Sequence, residues 1–407
     1  MSSKSANRFS RRGFLQASAL GAGIGLSSSA QAADDAIEWP EFIGEINPWA
    51  STTDRKIRIG VVGGGFGVAW HWHEHPNCIV EAVSDLIPER RERLVVKYEC
   101  AKSYESLEKL VLDPAIEAVA LFTPAPDHAR QMILCMEHGK HVISACPACM
   151  TLEEAQEMVR VQKKTGMKYM TAETSAFRWE TMTARRLFER GFFGEMVYAE
   201  AEYYHPGIGA ATHELSVKNS ERTWRYGFPP TLYPTHCTSF LVRVTGERLT
   251  SVSCIGTANP DEPAFKDNAY DNPFQNAMML FETDKGHPFR CNVAWDIHGD
   301  GERAQWFGRS AALYAPGSGG QPLSLKLPGK TVTQIPDFWP LLPEKMRYDS
   351  GHGGSHAFLT NEFVMALVED REPALNLAEG LAYCVPGIVA HQSALKQGER
   401  MAVPQYI

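Results

Sequence analysis

The chain has 407 residues, of which 44% are hydrophobic and 22% charged, and its formal net charge is −8 at neutral pH. This length and hydrophobicity predict a large buried core in two or three domains and exclude a wholly disordered chain. The acidic balance lacks the basic footprint of a nucleic-acid-binding protein, so we expect no nucleic-acid partner. Nine cysteines show no dense spacing framework and do not indicate a disulfide scaffold.

Residues 1–32 are predicted to be a cleaved export signal. Arg11 and Arg12 precede a weakly apolar run from Phe14 to Leu26, and the segment ends in the A-x-A pattern of residues 30–32. The run is too short and too rich in glycine and serine to span a bilayer, so we expect no membrane anchor after cleavage. The stretch 10–15 resembles the signal of the bacterial twin-arginine pathway, which implies export of the folded protein to the periplasm or medium. A signal of the general secretory pathway is the alternative.

Residues 33–54 are predicted to form an N-terminal arm. The segment is acidic, has two prolines and no sustained periodicity, and carries three large aromatic side chains: Trp39, Phe42 and Trp49. Tryptophan is costly to leave in water, so we expect an extended arm whose aromatic rings dock on the body or on a neighbouring subunit. A disordered linker is the alternative.

A dinucleotide-binding pattern begins at residue 56 and opens a Rossmann domain, which we predict to span residues 55–173. Gly63 and Gly65 give the tight turn and close backbone approach that a pyrophosphate needs, and a helix is expected to follow them. The next strand ends at Asp85, whose carboxylate suits a ribose 2′-OH and repels a 2′-phosphate. NAD is therefore the predicted cofactor. Three arginines on the next helix keep NADP as the alternative: Arg90, Arg91 and Arg93.

Strands and helices alternate as far as a helix with a capping box at Thr151 and Glu154. This alternation predicts a doubly wound parallel sheet, whose ligand crevice lies at the carboxyl ends of its strands. The predicted cofactor-binding residues are those at the glycine turn and at the strand ends: Gly63, Gly65, Phe66, Asp85, Thr123, Pro124, His128, Cys146 and Pro147.

Cys146 and Cys149 lie in the turn between the last of these strands and the capped helix. A redox pair is physically sensible there, because a helix N-terminus lowers the pKa of a thiol. A metal site lacks a second ligand pair in the sequence. His71, His73 and His75 also suggest a metal, but only His71 and His75 share a helical face, so we interpret them as surface residues. We predict no metal site.

The succession "GVVGGGFG", "AVSD" and "LFTPAPDHARQMILCMEHGKHV", followed by a proline-containing turn, resembles the Gfo/Idh/MocA family of dinucleotide-dependent sugar oxidoreductases. The resemblance extends from residue 56 to the end of the chain. In typical members the turn reads E-K-P, and its lysine positions the nicotinamide and takes part in proton transfer. Ala145, Cys146 and Pro147 occupy these positions here, and a thiol replaces neither the charge nor the reach of the lysine. The resemblance implies a small-residue variant of this turn.

The second half, residues 174–407, is predicted to be an α/β domain with a large, mostly antiparallel open sheet and a closing C-terminal helix. A hairpin is expected around residues 284–286. One face of the sheet should pack on helices. The other face forms an oligomer interface in the resembling family, which implies a homo-oligomer.

Tyr203 and His205 share one face of a predicted strand. The family's D-x-x-x-H pattern is represented by residues 232–236, in which the aspartate is lost and His236 is kept. The stretches "EYYHP" and "LYPTH" resemble the branch that contains the NAD-dependent glycoside hydrolases of family 109. That resemblance implies acid/base roles for Tyr203, His205 and His236. A core aromatic and a helix-capping histidine are the alternatives for Tyr203 and His236.

Four further residues are predicted to contact substrate: Trp224, Arg225, Tyr233 and His356. His356 follows a glycine-rich loop, for which a simple helix entry capped by Ser355 is the alternative. We therefore expect a cofactor-bound, carbohydrate-active enzyme that passes a hydride between NAD(H) and a sugar. A redox-assisted glycoside hydrolase is the alternative, and a non-catalytic sugar-binding homologue is the third possibility.

Overall fold

The computed structural model describes residues 39–317 and 320–406. The predicted export signal and the start of the arm lie outside the described residues. The described part of the arm opens with helix α1, Trp39–Ile43, so the expectation of an extended arm is wrong there. The helix forms because the chain folds back to bury Ile43 and to stack Phe42 on Phe192, with ring centroids 5.3 Å apart. The arm docks on the body, as its aromatic residues predict.

The first sheet is parallel and doubly wound, as predicted. Its strands are β1 Ile57–Val62, β2 Cys78–Ser84, β3 Ser103–Tyr104, β4 Ala118–Leu121, β5 His141–Ser144 and β6 Tyr169–Thr171. They run in the order β3-β2-β1-β4-β5-β6, and every neighbouring pair is parallel. The helices are α2 Pro88–Tyr98, α3 Leu107–Leu110, α4 His128–Glu137 and α5 Leu152–Thr165. Burial of β4 along its whole length reflects cover on both faces.

The predicted helix after the glycine turn is wrong. Within the described residues, β1 and β2 are joined by two short 3₁₀ turns, Gly67–Ala69 and Trp72–Glu74. The chain turns inward between them because Trp70 and Trp72 are fully buried and stack with ring centroids 5.7 Å apart. The segment after the glycine turn therefore lacks the dipole of a long helix.

His75 is a further correction, because it is buried and not a surface residue. Its Nε2 lies 3.1 Å from Oδ1 of Asn361, and its Nδ1 accepts a hydrogen bond from the backbone N–H of Asn77. The prediction failed because His75 follows a 3₁₀ turn, so the helical spacing on which it relied does not exist. Burial lowers the pKa of His75 to about 4, and its ring is a neutral structural link.

The second half forms a large, mostly antiparallel sheet, as predicted. Its strands are β7 Met196–Tyr204, β10 Leu249–Thr257, β11 Asn276–Thr283, β12 Pro288–Ala294, β13 Gly301–Gly308, β14 Ala312–Tyr314, β15 Ser324–Leu327, β16 Lys330–Val332 and β17 Met401–Ala402. A separate hairpin consists of β8 Val217–Lys218 and β9 Glu221–Arg222. The sheet order is β16-β15-β14-β13-β7-β12-β11-β10-β17, with β7 and β12 as its parallel pair.

Helices cover one face of this sheet and also connect the two halves. They are α6 Trp179–Glu189, α7 Thr235–Thr245, α8 Ser355–Val368 and α9 Leu377–Leu395. Helix α7 packs on β7, and Trp306 of β13 donates a hydrogen bond of 2.9 Å to the carbonyl oxygen of Phe240. Phe363 and Tyr383 of the last two helices join Val61 of β1 in one hydrophobic core. None of the described helices is long and apolar enough to cross a membrane.

Candidate active site

A cleft of about 640 Å³ opens at the carboxyl ends of β1, β2 and β4. Six of the nine predicted cofactor-binding residues line it: Gly63, Gly65, Phe66, Asp85, Thr123 and Pro124. Trp224 and Arg225, two of the predicted substrate residues, line the same cleft from the second half of the chain. The cleft therefore joins the predicted cofactor crevice to the predicted substrate side, as the topology of a doubly wound sheet requires.

The glycine turn has a backbone that other residues do not readily adopt. Gly63 has a φ of +96°, and a Cβ atom there would lie 2.3 Å from the carbonyl oxygen of Phe122. Asp85 holds the neighbouring backbone, since its carboxylate accepts the N–H of Gly64 at 2.6 Å and the N–H of Ile87 at 2.8 Å. Each carboxylate oxygen keeps a lone pair for a ribose hydroxyl.

His128 and Pro147 lie behind the cleft. The two ring nitrogens of the buried His128 lie 2.8 Å from the carbonyl oxygen of Pro147 and 2.9 Å from that of Thr123. His128 therefore braces the turns after β4 and β5 against each other. The Cys146-Pro147 peptide bond in the second of these turns is cis.

A buried cluster of Cys146, Glu173 and His236 lies beside these turns. His236 Nδ1 is 2.7 Å from Glu173 Oε1, and His236 Nε2 is 3.9 Å from the Sγ of Cys146. Burial alone would raise the pKa of Glu173, but the charge of His236 and its hydrogen bond outweigh burial and lower that pKa to about 2. The carboxylate is therefore ionised and fixes the imidazole ring of His236.

The two cysteines of the turn point to different neighbours. Cys149 contacts Cys384 of α9 with the sulfur atoms 3.5 Å apart, whereas Cys146 faces His236. Burial, followed by the negative charge of Glu173, raises the pKa of the Cys146 thiol well above its ordinary value. All nine cysteines are buried and unpaired. The arrangement does not favour a redox pair of Cys146 with Cys149.

Two tyrosines pack against the buried imidazole of His236. The ring centroids of Tyr203 and Tyr233 lie 4.5 Å and 5.0 Å from that of His236. Burial raises the pKa of Tyr203 well above its ordinary value, so its hydroxyl stays protonated and can donate a hydrogen bond. The guanidinium of Arg225 lies 4.2 Å from the ring centroid of Trp224 and 5.7 Å from that of Tyr233, which connects this cluster to the wall of the cleft.

His205 follows the end of β7, next to Tyr203. Its ring centroid is 6.3 Å from that of Tyr203 and 6.0 Å from that of His213. Burial, and then the charge of Arg225, lowers the pKa of His205. Its Nδ1 atom is buried without a hydrogen-bond partner in the described part of the chain. The structure thus brings together all three predicted catalytic residues, Tyr203, His205 and His236.

His356 lies at the start of α8, and its ring centroid is 5.4 Å from that of Phe66, which lines the cleft. Its ring stacks on Trp70 with centroids 4.5 Å apart, and its Nδ1 is 3.2 Å from the carbonyl oxygen of Ala69. His356 Nε2 lies 2.9 Å from Nδ1 of His352. Gly354 is the N-cap residue of α8, and the hydroxyl of Ser355 donates a hydrogen bond to the carbonyl oxygen of His352, so the alternative of a helix entry capped by Ser355 is wrong.

Sequence reasoning missed the acidic residues that support His236. Ser175 Oγ lies 3.1 Å from His236 Nδ1 and donates a hydrogen bond of 2.7 Å to Glu302, which pairs with Arg178. Glu173 offered a signal, because it follows β6 and the carboxyl ends of parallel strands line the crevice. The sequence carries no signal for Glu302, because this residue lies on β13 of the second half and not at the end of a strand of the first sheet.

Comparison with known proteins agrees with this architecture. Residues 57–173 match the model of the Gfo/Idh/MocA oxidoreductase family, described as having an NAD-binding Rossmann fold. A glycosyl hydrolase family 109 protein of Bacteroides thetaiotaomicron is 31% identical over 161 residues, which are 37% of this chain and 34% of the relative. That alignment spans about a third of the relative's length. A family 109 protein of Streptomyces filamentosus is 23% identical over 98% of this chain and 90% of its own.

Solved structures of other proteins share the fold of most of the described residues. Levoglucosan dehydrogenase in complex with NADH and levoglucosan superposes with a TM-score of 0.72 at 19% identity, over 86% of this chain and 100% of that chain. This likeness establishes the fold of both halves. Residues 57–173, which carry the glycine turn and Asp85 of the first crevice, are therefore similar to the NAD-binding Rossmann fold of the Gfo/Idh/MocA oxidoreductase family.

Proposed function

We propose that this chain is an NAD-dependent, carbohydrate-active oxidoreductase that passes a hydride between bound NAD(H) and a sugar or sugar derivative. The observation that carries the proposal is the buried arrangement of Tyr203, His236 and Glu173 beside a cleft with a glycine turn and Asp85. The fold likeness to levoglucosan dehydrogenase supports a sugar as the substrate class.

Bound NAD would supply a hydride acceptor on its nicotinamide ring. Gly63 and Gly65 would hold its pyrophosphate, and Asp85 its ribose. When a sugar carbon gives up its hydride, the proton of the attached hydroxyl must pass to a base within hydrogen-bond reach. Glu173 holds His236 through Nδ1, which leaves Nε2 as the atom that takes the proton. Tyr203 keeps its proton and can donate a hydrogen bond to the substrate oxygen.

A redox-assisted glycoside hydrolase is the second candidate, and the names of the family 109 relatives favour it. In this reaction a sugar hydroxyl is first oxidised to a ketone. The ketone acidifies the adjacent C–H bond, a base removes that proton, and the aglycone leaves. Water then adds, and the hydride returns to the ketone. NAD is regenerated in each turnover, and His205 and His236 are two bases within the site.

One experiment separates the two reactions. Aryl glycosides are offered in D₂O without added NAD, and aglycone release and deuterium at the sugar C2 are followed. Release with exchange supports the redox-assisted glycosidase. Net NADH formation from free sugars or sugar acids, with no release across a broad glycoside panel, supports the dehydrogenase. The absence of both reactions would contradict the catalytic proposal and leave a sugar-binding role.

We also propose that the protein acts in the periplasm or outside the cell, after export through the twin-arginine pathway. The support is the Arg11-Arg12 pair and the A-x-A end of the leader. Arg11 and Arg12 changed together to lysine should leave the protein in the cytoplasm, as followed by cell fractionation. Unchanged export would contradict this proposal.

We further propose that the outer face of the large sheet pairs copies of the chain. The adjacent strands β10 and β11 expose Ile255, Met278 and Leu280 to 64%, 50% and 56%, and neighbouring exposed apolar side chains mark association surfaces. Met278→Glu with Leu280→Glu should lower the mass measured by light scattering. A monomeric mass for the unmodified protein would contradict this proposal.

A further inference from the structure

The buried cluster has the chemistry of a metal-binding site. The Sγ of Cys146, a ring nitrogen of His236 and a carboxylate oxygen of Glu173 lie within 4.8 Å of one another, and all three side chains are buried. A tetrahedral zinc ion with ligands at about 2.0–2.3 Å holds such atoms about 3–4 Å apart, so shifts of about an ångström would bring them into place. We propose that these three residues bind a divalent cation of the Zn²⁺ class.

The three ligands come from separate parts of the chain that are held firmly in place. Cys146 lies in the turn braced by His128, and Glu173 follows β6 and accepts the N–H of Ser175 at 3.0 Å. His236 lies in the first turn of α7. Because each side chain comes from a different element of the packed core, the site needs no folding of a loop around the ion.

An independent observation indicates a missing partner at this place. The second oxygen of Glu173, Oε2, is buried and has no partner in ordinary hydrogen-bond geometry among the described residues, and the Thr235 hydroxyl and the Cys146 thiol are polar neighbours of this carboxylate. A buried anionic oxygen without a partner is costly. His236 is the sole ion-pair partner of Glu173 in the described part of the chain. A cation ligated by Oε2 would satisfy this atom.

The charges and the donor types select the class of ion. A thiolate, a carboxylate and a neutral imidazole together balance a divalent cation, which keeps the buried site close to neutral. Sulfur and nitrogen donors suit Zn²⁺, whereas Mg²⁺ and Ca²⁺ take oxygen ligands. Three protein ligands leave a fourth position for water or a sugar oxygen, as in catalytic zinc sites.

Cobalt titration of the full-length protein, stripped of metal with a chelator, tests the proposal. Co²⁺ should bind at one equivalent and give a thiolate-to-cobalt charge-transfer band, which Zn²⁺ should abolish by displacement. Cys146→Ser should remove the band. The matched variant Cys149→Ser, which changes a buried thiol that contacts Cys384, should keep it. Glu173→Gln should weaken Co²⁺ binding at least tenfold.

Saturable binding without a thiolate band, or a band that persists in Cys146→Ser, would overturn the assignment. The absence of saturable binding of both Co²⁺ and Zn²⁺ would also overturn it. If Cys146→Ser does not fold, His236→Gln replaces it, and unchanged Co²⁺ affinity in that variant contradicts the proposal. The measurement needs neither NAD nor turnover. A cation held by Nε2 of His236 would occupy the nitrogen that the proposed reaction uses as its base, so one equivalent of bound Co²⁺ would leave His205 as the base within the site.

Discussion

His236 is the residue on which the contacts of the site converge. Glu173 and Ser175 hold its Nδ1, Cys146 lies near its Nε2, and Tyr203 and Tyr233 cover its ring. A histidine held in this way has one nitrogen committed to orientation and the other available for chemistry. Because one nitrogen of the ring is fixed and the other can exchange a proton, the ring can act as a base although the site is fully packed.

Loss of either proton-handling group should slow the reaction strongly. We expect His236→Ala and Tyr203→Phe each to lower kcat/KM by about 10²–10⁴, the usual contribution of a general acid or base. Tyr198→Phe is the matched control, because Tyr198 lies on the opposite face of β7 and donates a hydrogen bond to Glu200. Steady-state kinetics on the substrate found with the glycoside and sugar panel checks this. Full activity in both variants would show that the site assignment is wrong.

Glu173 should make stability depend on pH in the acid range. Its pKa in the folded protein is about 2, below the ordinary value of 4.5, so its contribution is present above pH 4.5 and is lost as the pH falls towards 2. The free energy of unfolding of the wild type should therefore exceed that of Glu173→Gln at pH 6, and the difference should shrink between these two pH values. Denaturant unfolding of metal-free protein measures it. A difference that is constant over this range would contradict the lowered pKa.

At the scale of elements, strand order decided which parts of the site the sequence could predict. Asp85, Thr123 and Cys146 follow the carboxyl ends of β2, β4 and β5, so alternation of strands and helices was enough to place them at one edge of the first sheet. Tyr203 and His236 came from their resemblance to family 109 motifs. Glu302 could not be predicted, because it depends on β13 pairing with β7 across a long separation in sequence. The 3₁₀ turns after Gly65 were missed because burial of two tryptophans overrode the usual helix.

The glycine turn gives a prediction at this scale. Gly63→Ala places a Cβ atom against the carbonyl oxygen of Phe122 at a φ of +96°, so the backbone must shift and the variant should lose NAD(H). Gly166→Ala is the control, since Gly166 also has a positive φ of +69°, but a Cβ atom there would meet no other atom within 4 Å. It should lose about 1 kcal/mol of stability and keep NAD(H). Calorimetry and cofactor assay of both variants check this, and NAD(H) retained by Gly63→Ala would contradict it.

At the scale of the molecule, the last two helices make the two halves one cooperative body. Phe363 of α8 and Tyr383 of α9 share a core with Val61 of β1, and α9 also packs on β10 of the large sheet. The sequence predicted both sheets, but not that α8 and α9 share a core with the first sheet. These long apolar helices show no clear amphipathic face that would assign them to one sheet. Cofactor binding in the first crevice should therefore stabilise the whole body.

Tightly held NAD(H) is the prediction that follows from this coupling. A protein proposed to be exported folded must carry its cofactor with it, so protein purified from cells and then denatured should release one equivalent of NAD(H). Readdition at one hundred times the dissociation constant should raise the free energy of unfolding by about 2.7 kcal/mol in a single transition, since binding favours only the folded state. Calorimetry with an enzymatic NAD(H) assay measures both. Gly63→Ala is the control, because its altered turn should release none. If the wild-type protein releases no NAD(H) and its unfolding temperature does not change on readdition, the crevice does not hold this cofactor.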